Sequence, residues 1–247
     1  MGKDKTGLGD RMKGYENINR NHLISRMPVV LRLDGKAFHT FCRKFDKPFD
    51  KVMVKTMQET MRYLCEHIQG CVLGYTQSDE ITLVLVDYET FDTCSWFDNN
   101  IQKMVSVAAS MATYVFNKTM MSYSGFGDIY RKKVEDLGGL FDCRAFNVPR
   151  EDLLNCVLWR IKDCTRNSKQ SLGQAHFSQK ELHKKSTDEV VAMVKDKTGI
   201  LWDDLPTTLK YGTFCVKKSD SGFMLISESI KTYGDLEDFC SKNCVFF

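Results

Sequence analysis

No stretch of the 247 residues is apolar for long enough to span a bilayer, and the opening segment MGKDKTGLGDRMKGYE contains no apolar core that could act as a signal peptide. A soluble, cytoplasmic protein without a membrane partner is the expectation. Cysteine is plentiful at ten, yet no Cys-x-x-Cys pair occurs between Cys42 and Cys244, which argues against a disulfide or zinc framework and for free thiols in a reducing compartment. Neither sign of charge dominates: 35 basic and 32 acidic residues leave +3, which permits a nucleic-acid partner without arguing for one. There is no Walker loop, dinucleotide fingerprint, internal repeat or low-complexity tract. Short lipidation-like patterns occur at Gly2 with Thr6 and at Cys244-Val245-Phe246-Phe247, but no polybasic stretch adjoins Cys244, and one lipid chain would anchor only weakly.

What is present is a regular alternation of element types. Pro28 to Gly35 is a β-branched and aliphatic run that stops at Asp34-Gly35, the pattern of a buried strand ending in a turn. A loop is expected from Lys36 to Phe49. Met53, Met57, Met61, Leu64 and Ile68 recur at helical spacing, so Asp50 to Gln69 is predicted helical, with Gly70 just past its end. Cys71 to Thr76 and Ile81 to Val86 form a predicted hairpin around Gln77-Ser78-Asp79-Glu80. A second helix is expected over Trp96 to Phe116 and a strand over Phe141 to Val148. Between them, Met120 to Gly139 breaks both periodicities and reads as a long loop or flap.

Strand, helix, strand, strand, helix, strand is the order of a ferredoxin-like α+β fold, an antiparallel sheet with helices on one face. Residues 1–149 are expected to make this unit. Residues 150–247 read as a mainly helical extension packed on it, helical over Glu151 to Cys164, Ser178 to Lys184 and Thr187 to Lys197, with a returning strand over Thr208 to Lys217.

In that strand order the first strand lies beside the hairpin, so Asp34 and Asp79 can converge on one sheet edge. Two carboxylates there suit magnesium, which takes few protein oxygens and completes its shell with phosphate and water; the Gly35 carbonyl could add a third oxygen. Gly35-Lys36-Ala37-Phe38-His39 follows directly and offers successive backbone N–H groups and one lysine to a triphosphate. Each motif alone has an ordinary explanation, because Asp-Gly is a common turn dipeptide and Ser-Asp-Glu a common hairpin tip. It is their joint placement that points to a cation site.

At these residues the sequence resembles the tRNA(His) guanylyltransferase family. The likeness rests on Arg32 to His39, Lys47-Pro48-Phe49-Asp50, Gln77-Ser78-Asp79-Glu80, Trp96-Phe97, Phe141-Asp142-Cys143-Arg144 with Pro149, and Trp159-Arg160-x-x-Asp163 with Asn167. The resemblance implies a polymerase-like palm in which Asp34, Asp79 and the Gly35 carbonyl hold two Mg2+ ions, with Glu80 beside them as a further catalytic carboxylate. It implies that Lys36, Ala37, Phe38 and His39 line a nucleoside triphosphate, that Asp50 lies near its base, and that Arg32, Ser78 and Lys103 face phosphates. The implied reaction is attack by the 3′-hydroxyl of GTP or another triphosphate on an activated tRNA 5′ end, ATP serving to activate it. A homotetramer, a dimer of dimers, is implied as well.

Two departures from the family pattern bear on the choice of branch. Thr165 to Ser171 stands where the eukaryotic type has His-Ile-Asn-Asn-Leu-Tyr-Asn, and Asn100 stands near an arginine position. Both favour the guanylyltransferase-like branch, which repairs truncated tRNA 5′ ends by templated addition. The alternatives left open are a strict tRNA(His) guanylyltransferase, a palm-type nucleotide cyclase, and a non-catalytic tRNA-binding protein. Arg160, Arg166 and Asn167, with Lys162, Lys169, Lys180, Lys184 and Lys185, make the expected tRNA-binding surface.

Overall fold

Alternation along the first strand decides how the molecule is layered. Within β1 (Val29–Gly35), Val29, Leu31 and Leu33 belong to one apolar cluster, while Val30 belongs to another on the opposite side of the sheet. The computed structural model of the chain describes residues 6–123, 128–218 and 222–244. Preceding β1 is helix α1 (Gly7–Asn17), and after it come α2 (Phe38–Phe41), α3 (Lys51–His67), β2 (Cys71–Gln77), β3 (Glu80–Leu85), α4 (Ile101–Ser122), α5 (Asp128–Asp136) and β4 (Phe141–Asn147). The remainder is α6 (Leu153–His176), α7 (Gln179–Leu182), α8 (Thr187–Thr198), α9 (Thr207–Tyr211), β5 (Thr213–Lys218), β6 (Gly222–Ile226) and α10 (Tyr233–Asn243).

The six strands form one sheet in the order β4-β1-β3-β2-β5-β6, antiparallel at every pairing. Its first four strands have the ferredoxin-like order, with α3 and α4 against one face. Met57, Met61 and Leu64 of α3 and Met104, Ala108 and Phe116 of α4 meet Leu31, Leu33, Ile81 and Leu83 there. Each such fully buried aliphatic side chain contributes about 1.5–3 kcal/mol. The C-terminal segment covers the other face: Val157, Leu158 and Ile161 of α6 join Val30, Val84 and Tyr75, and Leu236 and Phe239 of α10 join Phe214 and Val216. That segment also supplies β5 and β6, so it shares its sheet with the palm.

Several boundaries differ from the sequence reading, each for a physical reason. Residues 38–41 are a helical turn because Phe38, Phe41 and Phe45 turn into the core around Phe116. The second palm helix starts at Ile101, since Phe97, Asp98 and Asn99 take left-handed φ values of 51°, 54° and 54° and Asn100 caps it. The expected flap is largely ordered: α4 runs on to Ser122 with Met120 buried, and Ile129, Tyr130 and Val134 of α5 pack on the core. Residues 124–127 of that stretch are outside the described residues. Helix α6 continues to His176 because Ser168, Leu172 and Gly173 keep a buried stripe going past Cys164. Residues 207–211 are helical and the returning strand begins at Thr213, while α1, β6 and α10 had no counterpart in the sequence reading. The lipidation-like patterns at Gly2 and at residues 245–247 lie outside the described residues; Cys244 itself is buried.

Candidate active site

The hairpin tip and the end of β1 are tied together by backbone. Asp34 stands opposite Glu80 in the β1–β3 register and opposite Asp142 in the β1–β4 register, and the Gly35 N–H donates to the Asp79 carbonyl at 3.1 Å. Ser78, in the tight turn before Asp79, has φ +51°, a left-handed conformation costly for a side chain other than glycine's. Its hydroxyl donates to Asp79 Oδ1 at 3.0 Å. Gly35 is required sterically: a β-carbon there would lie 2.4 Å from the Phe38 ring.

Both carboxyls titrate above the usual range. For Asp34 the main cause is burial and the next is the Asp142 charge, with Arg144, Arg32 and Arg160 pulling the other way. For Asp79 burial again leads, opposed by the Ser78 hydrogen bond and reinforced by the Asp34 charge. A cation between them would relieve both effects. Among the described residues no three His, Cys, Asp or Glu side chains group tightly enough to hold a metal ion. The donor set therefore does not fit a closed all-protein cage. It does fit magnesium, which needs only one or two carboxylates with substrate phosphate and water.

Beneath the pair lies a buried ionic clamp. Arg160 Nε donates to Glu80 Oε1 at 2.7 Å and its Nη2 to Asp163 Oδ2 at 2.7 Å, while Asp163 also pairs with Arg166 and accepts from Asn167 at 3.2 Å. Burial raises the Glu80 carboxyl and Arg160 pulls it back. This corrects one expectation: Arg160, read as part of a basic surface, is buried, with its guanidinium paired to Glu80 and Asp163. Arg166 remains 62 % exposed at its side chain.

A cleft of about 630 Å³ opens beside Asp79, lined by His39, Cys42, Asp50, Ser78 and Asn167 among others. Phe38 borders it, but the ring sits in the aromatic core, so only its backbone is on offer. Lys36 and Ala37 are exposed, Ala37 at φ +56° at the start of α2, whose first amides have no intrahelical partner. Asp50 is already engaged: it accepts from the Met53 and Asp46 amides and from the Tyr130 hydroxyl at 2.9 Å. Lys133 Nζ reaches the Thr40 carbonyl at 2.8 Å, so α5 fastens the 38–50 segment. Cys42 is no nucleophile, since burial and the Asp79 and Asp50 charges push its thiol up to about 12.

Lys103 is not brought to this end. Thr113 of α4 is level with Phe141, whose amide it accepts, and Phe141 pairs with Gly35. Residues 103 to 113 of a helix span roughly 15 Å, which leaves Lys103 near the far end of the sheet. Arg144 and Asp142 were missed. Arg144 pairs with Arg32 in register, a signal readable from alternation along Phe141-Asp142-Cys143-Arg144 once the strand order is assumed.

A ferredoxin-like sheet with Asp34 at the β1 end and Asp79 in the β2–β3 turn is the architecture of a polymerase-like palm. The profile of the tRNAHis guanylyltransferase family matches residues 9–149. A bacterial tRNA(His) guanylyltransferase-like protein solved in complex with ATP is 37 % identical, with a TM-score of 0.84 over 94 % of this chain and 96 % of that one. One solved in complex with GTP is 35 % identical, with a TM-score of 0.77 over 94 % and 97 %. The tRNA(His) guanylyltransferase of Schizosaccharomyces pombe is 29 % identical over 64 % of this chain, which spans 56 % of that enzyme's length. The chain belongs to the tRNA(His) guanylyltransferase family of nucleotidyltransferases.

Proposed function

We propose that the protein is a magnesium-dependent, template-directed 3′-to-5′ nucleotidyltransferase that extends tRNA 5′ ends. The observation carrying this reading is the meeting of Asp34 and Asp79 at one corner of the sheet, with Asp79 bordering a cleft large enough for a nucleoside triphosphate. The ATP and GTP complexes of the bacterial guanylyltransferase-like proteins support a triphosphate as the cleft's occupant.

Asp34, Asp79 and the Gly35 carbonyl would hold the magnesium, which neutralises developing phosphoryl charge and activates the attacking hydroxyl. The chain's own residues orient the reactants. The Ala37 to His39 amides and Lys36 cradle phosphates, Arg32 and Arg144 add positive potential on the Asp34 side, and the Glu80–Arg160–Asp163 clamp fixes the hairpin tip. Asn167, which lines the cleft, and the exposed Arg166 beside it in sequence would serve as tRNA contacts. We extend the proposal to a cytoplasmic homotetramer: the absence of any Cys-x-x-Cys pair in the sequence is compatible with a reducing compartment, and light scattering would check the mass.

The test offers 5′-truncated tRNAs, with mono- or triphosphate ends, to the protein with magnesium and each nucleotide in turn. Addition only opposite a pairing template base is the expected result. Untemplated addition of a single guanosine to tRNA(His) would establish the strict enzyme instead, and tRNA binding without any incorporation would leave a binding protein.

A further inference from the structure

Asp34 and Asp79 stand differently toward the cleft. Asp79 borders the cleft, whereas Asp34 is not among the residues that line it. Asp34 lies on the sheet face that carries Val30 and Arg32, and on the neighbouring strand Asp142 and Arg144 are exposed beside it. Moving back from the corner, the Asp34–Asp142 row is followed by the Arg32–Arg144 row two residues along, roughly 7 Å away. Next to these cations stands Trp159 of α6. Its indole is 54 % exposed, an unusual state for so large an apolar ring, and the guanidinium carbons of Arg160 and Arg32 lie 4.3 and 5.3 Å from its centroid. Arg160 is itself locked by Glu80 and Asp163, so the ring is mounted on a rigid base.

An exposed aromatic platform flanked by cations, one strand row from a metal-binding carboxylate, has the chemistry that holds a single-stranded nucleotide: stacking for the base and arginine for the phosphates. We propose that Trp159 is the stacking platform for the terminal base of the RNA 5′ end being extended, with the adjoining phosphates on Arg32 and Arg144. The incoming triphosphate then occupies the cleft on the Asp79 side, so the two reactants approach the shared carboxylate pair from opposite sides. This rests on the nucleotidyltransferase reading above and adds to it the residue that reads the RNA end.

The experiment measures equilibrium binding of a 5′-monophosphorylated truncated tRNA, and separately of GTP, to the full chain and to its Trp159→Ala and Trp159→Phe variants, with circular dichroism as a check on folding. Stacking of one base predicts about a ten-fold weaker tRNA affinity for Trp159→Ala, near-normal affinity for Trp159→Phe, and unchanged GTP affinity in both. The same tRNA with an abasic first nucleotide should bind wild type and Trp159→Ala equally. A penalty that persists on the abasic tRNA, or one that appears equally in GTP binding, overturns the assignment. So does unchanged tRNA binding, and if light scattering then shows a loss of assembly mass, the ring is a contact between copies instead. Wild-type protein that binds tRNA but incorporates nothing removes the catalytic reading while leaving the platform tested.

Discussion

The sheet presents two faces built from alternate residues of the same strands, and they have diverged completely. Toward α3 and α4, β1 offers Val29, Leu31 and Leu33 and β3 offers Ile81, Leu83 and Leu85, every one in the apolar core. Toward α6 the same strands begin apolar at Val30 and Val84, then turn polar on approaching the hairpin: Thr82, Arg32, Glu80, Asp34. The first face is closed end to end by two helices. The second is closed at one end, buries Glu80 against Arg160 in the middle, and is open toward β4, where Asp142 and Arg144 are exposed and charged groups keep water and substrate as partners. Rigidity and chemistry thus sit one residue apart along β1, back to back.

Neighbouring substitutions separate the two roles. Asp34→Ala or Asp79→Ala should lower nucleotide incorporation by roughly a thousand-fold or more, with a urea midpoint within error of wild type. Leu33→Ala, next door on the closed face, should instead cost about 2–5 kcal/mol in denaturant unfolding. If Asp34→Ala unfolds the protein, the division between the faces is wrong.

Arginines on the same helix give the next contrast. Arg160→Ala strands two buried carboxylates and should cost about 3–5 kcal/mol, whereas Arg166→Ala, on an exposed pair, should cost under about 1 kcal/mol while weakening tRNA binding. Equal stability losses in urea titrations would contradict the clamp. A smaller effect, about 1–3 kcal/mol with reduced GTP affinity, is expected for Gly35→Ala, because the added methyl runs into the Phe38 ring and displaces α2. Smallest of all is Cys42→Ser, expected to retain near-normal incorporation. With its thiol near 12, only about one part in 10⁴ is thiolate at pH 8, so iodoacetamide followed by mass spectrometry should label exposed Cys94 and spare Cys42.

Much of this was legible in the residues. Short β-branched and aliphatic runs ending at Asp34 and flanking the Asp79 turn marked the strands, the Met53 to Ile68 stripe marked α3, and the element order implied the strand order that brings both aspartates to one corner. What escaped had weak local signal. Helix α5 is short and highly charged, and shows its apolar side only when docked beside Phe45 and Asp50. The three left-handed residues before α4 are held by tertiary partners, His22 reaching the Asp98 carbonyl at 2.7 Å and Leu23 the Asn99 carbonyl at 2.9 Å.

By itself, then, the sequence pointed to the palm's element order and to the turns that carry Asp34 and Asp79, because periodicity and turn chemistry are local properties that a strand order can assemble; the family was legible in the resemblance of its ordered motif blocks. Only the tertiary structure decided that Arg160 points inward to Glu80, that Lys103 lies at the far end of the sheet, and that Trp159 stands in the open next to Arg32. A residue's place on a strand or helix says which face it takes. Whether that face is then covered, and by which charge, depends on contacts between segments remote in the chain, such as residue 80 with residue 160, which no local pattern encodes.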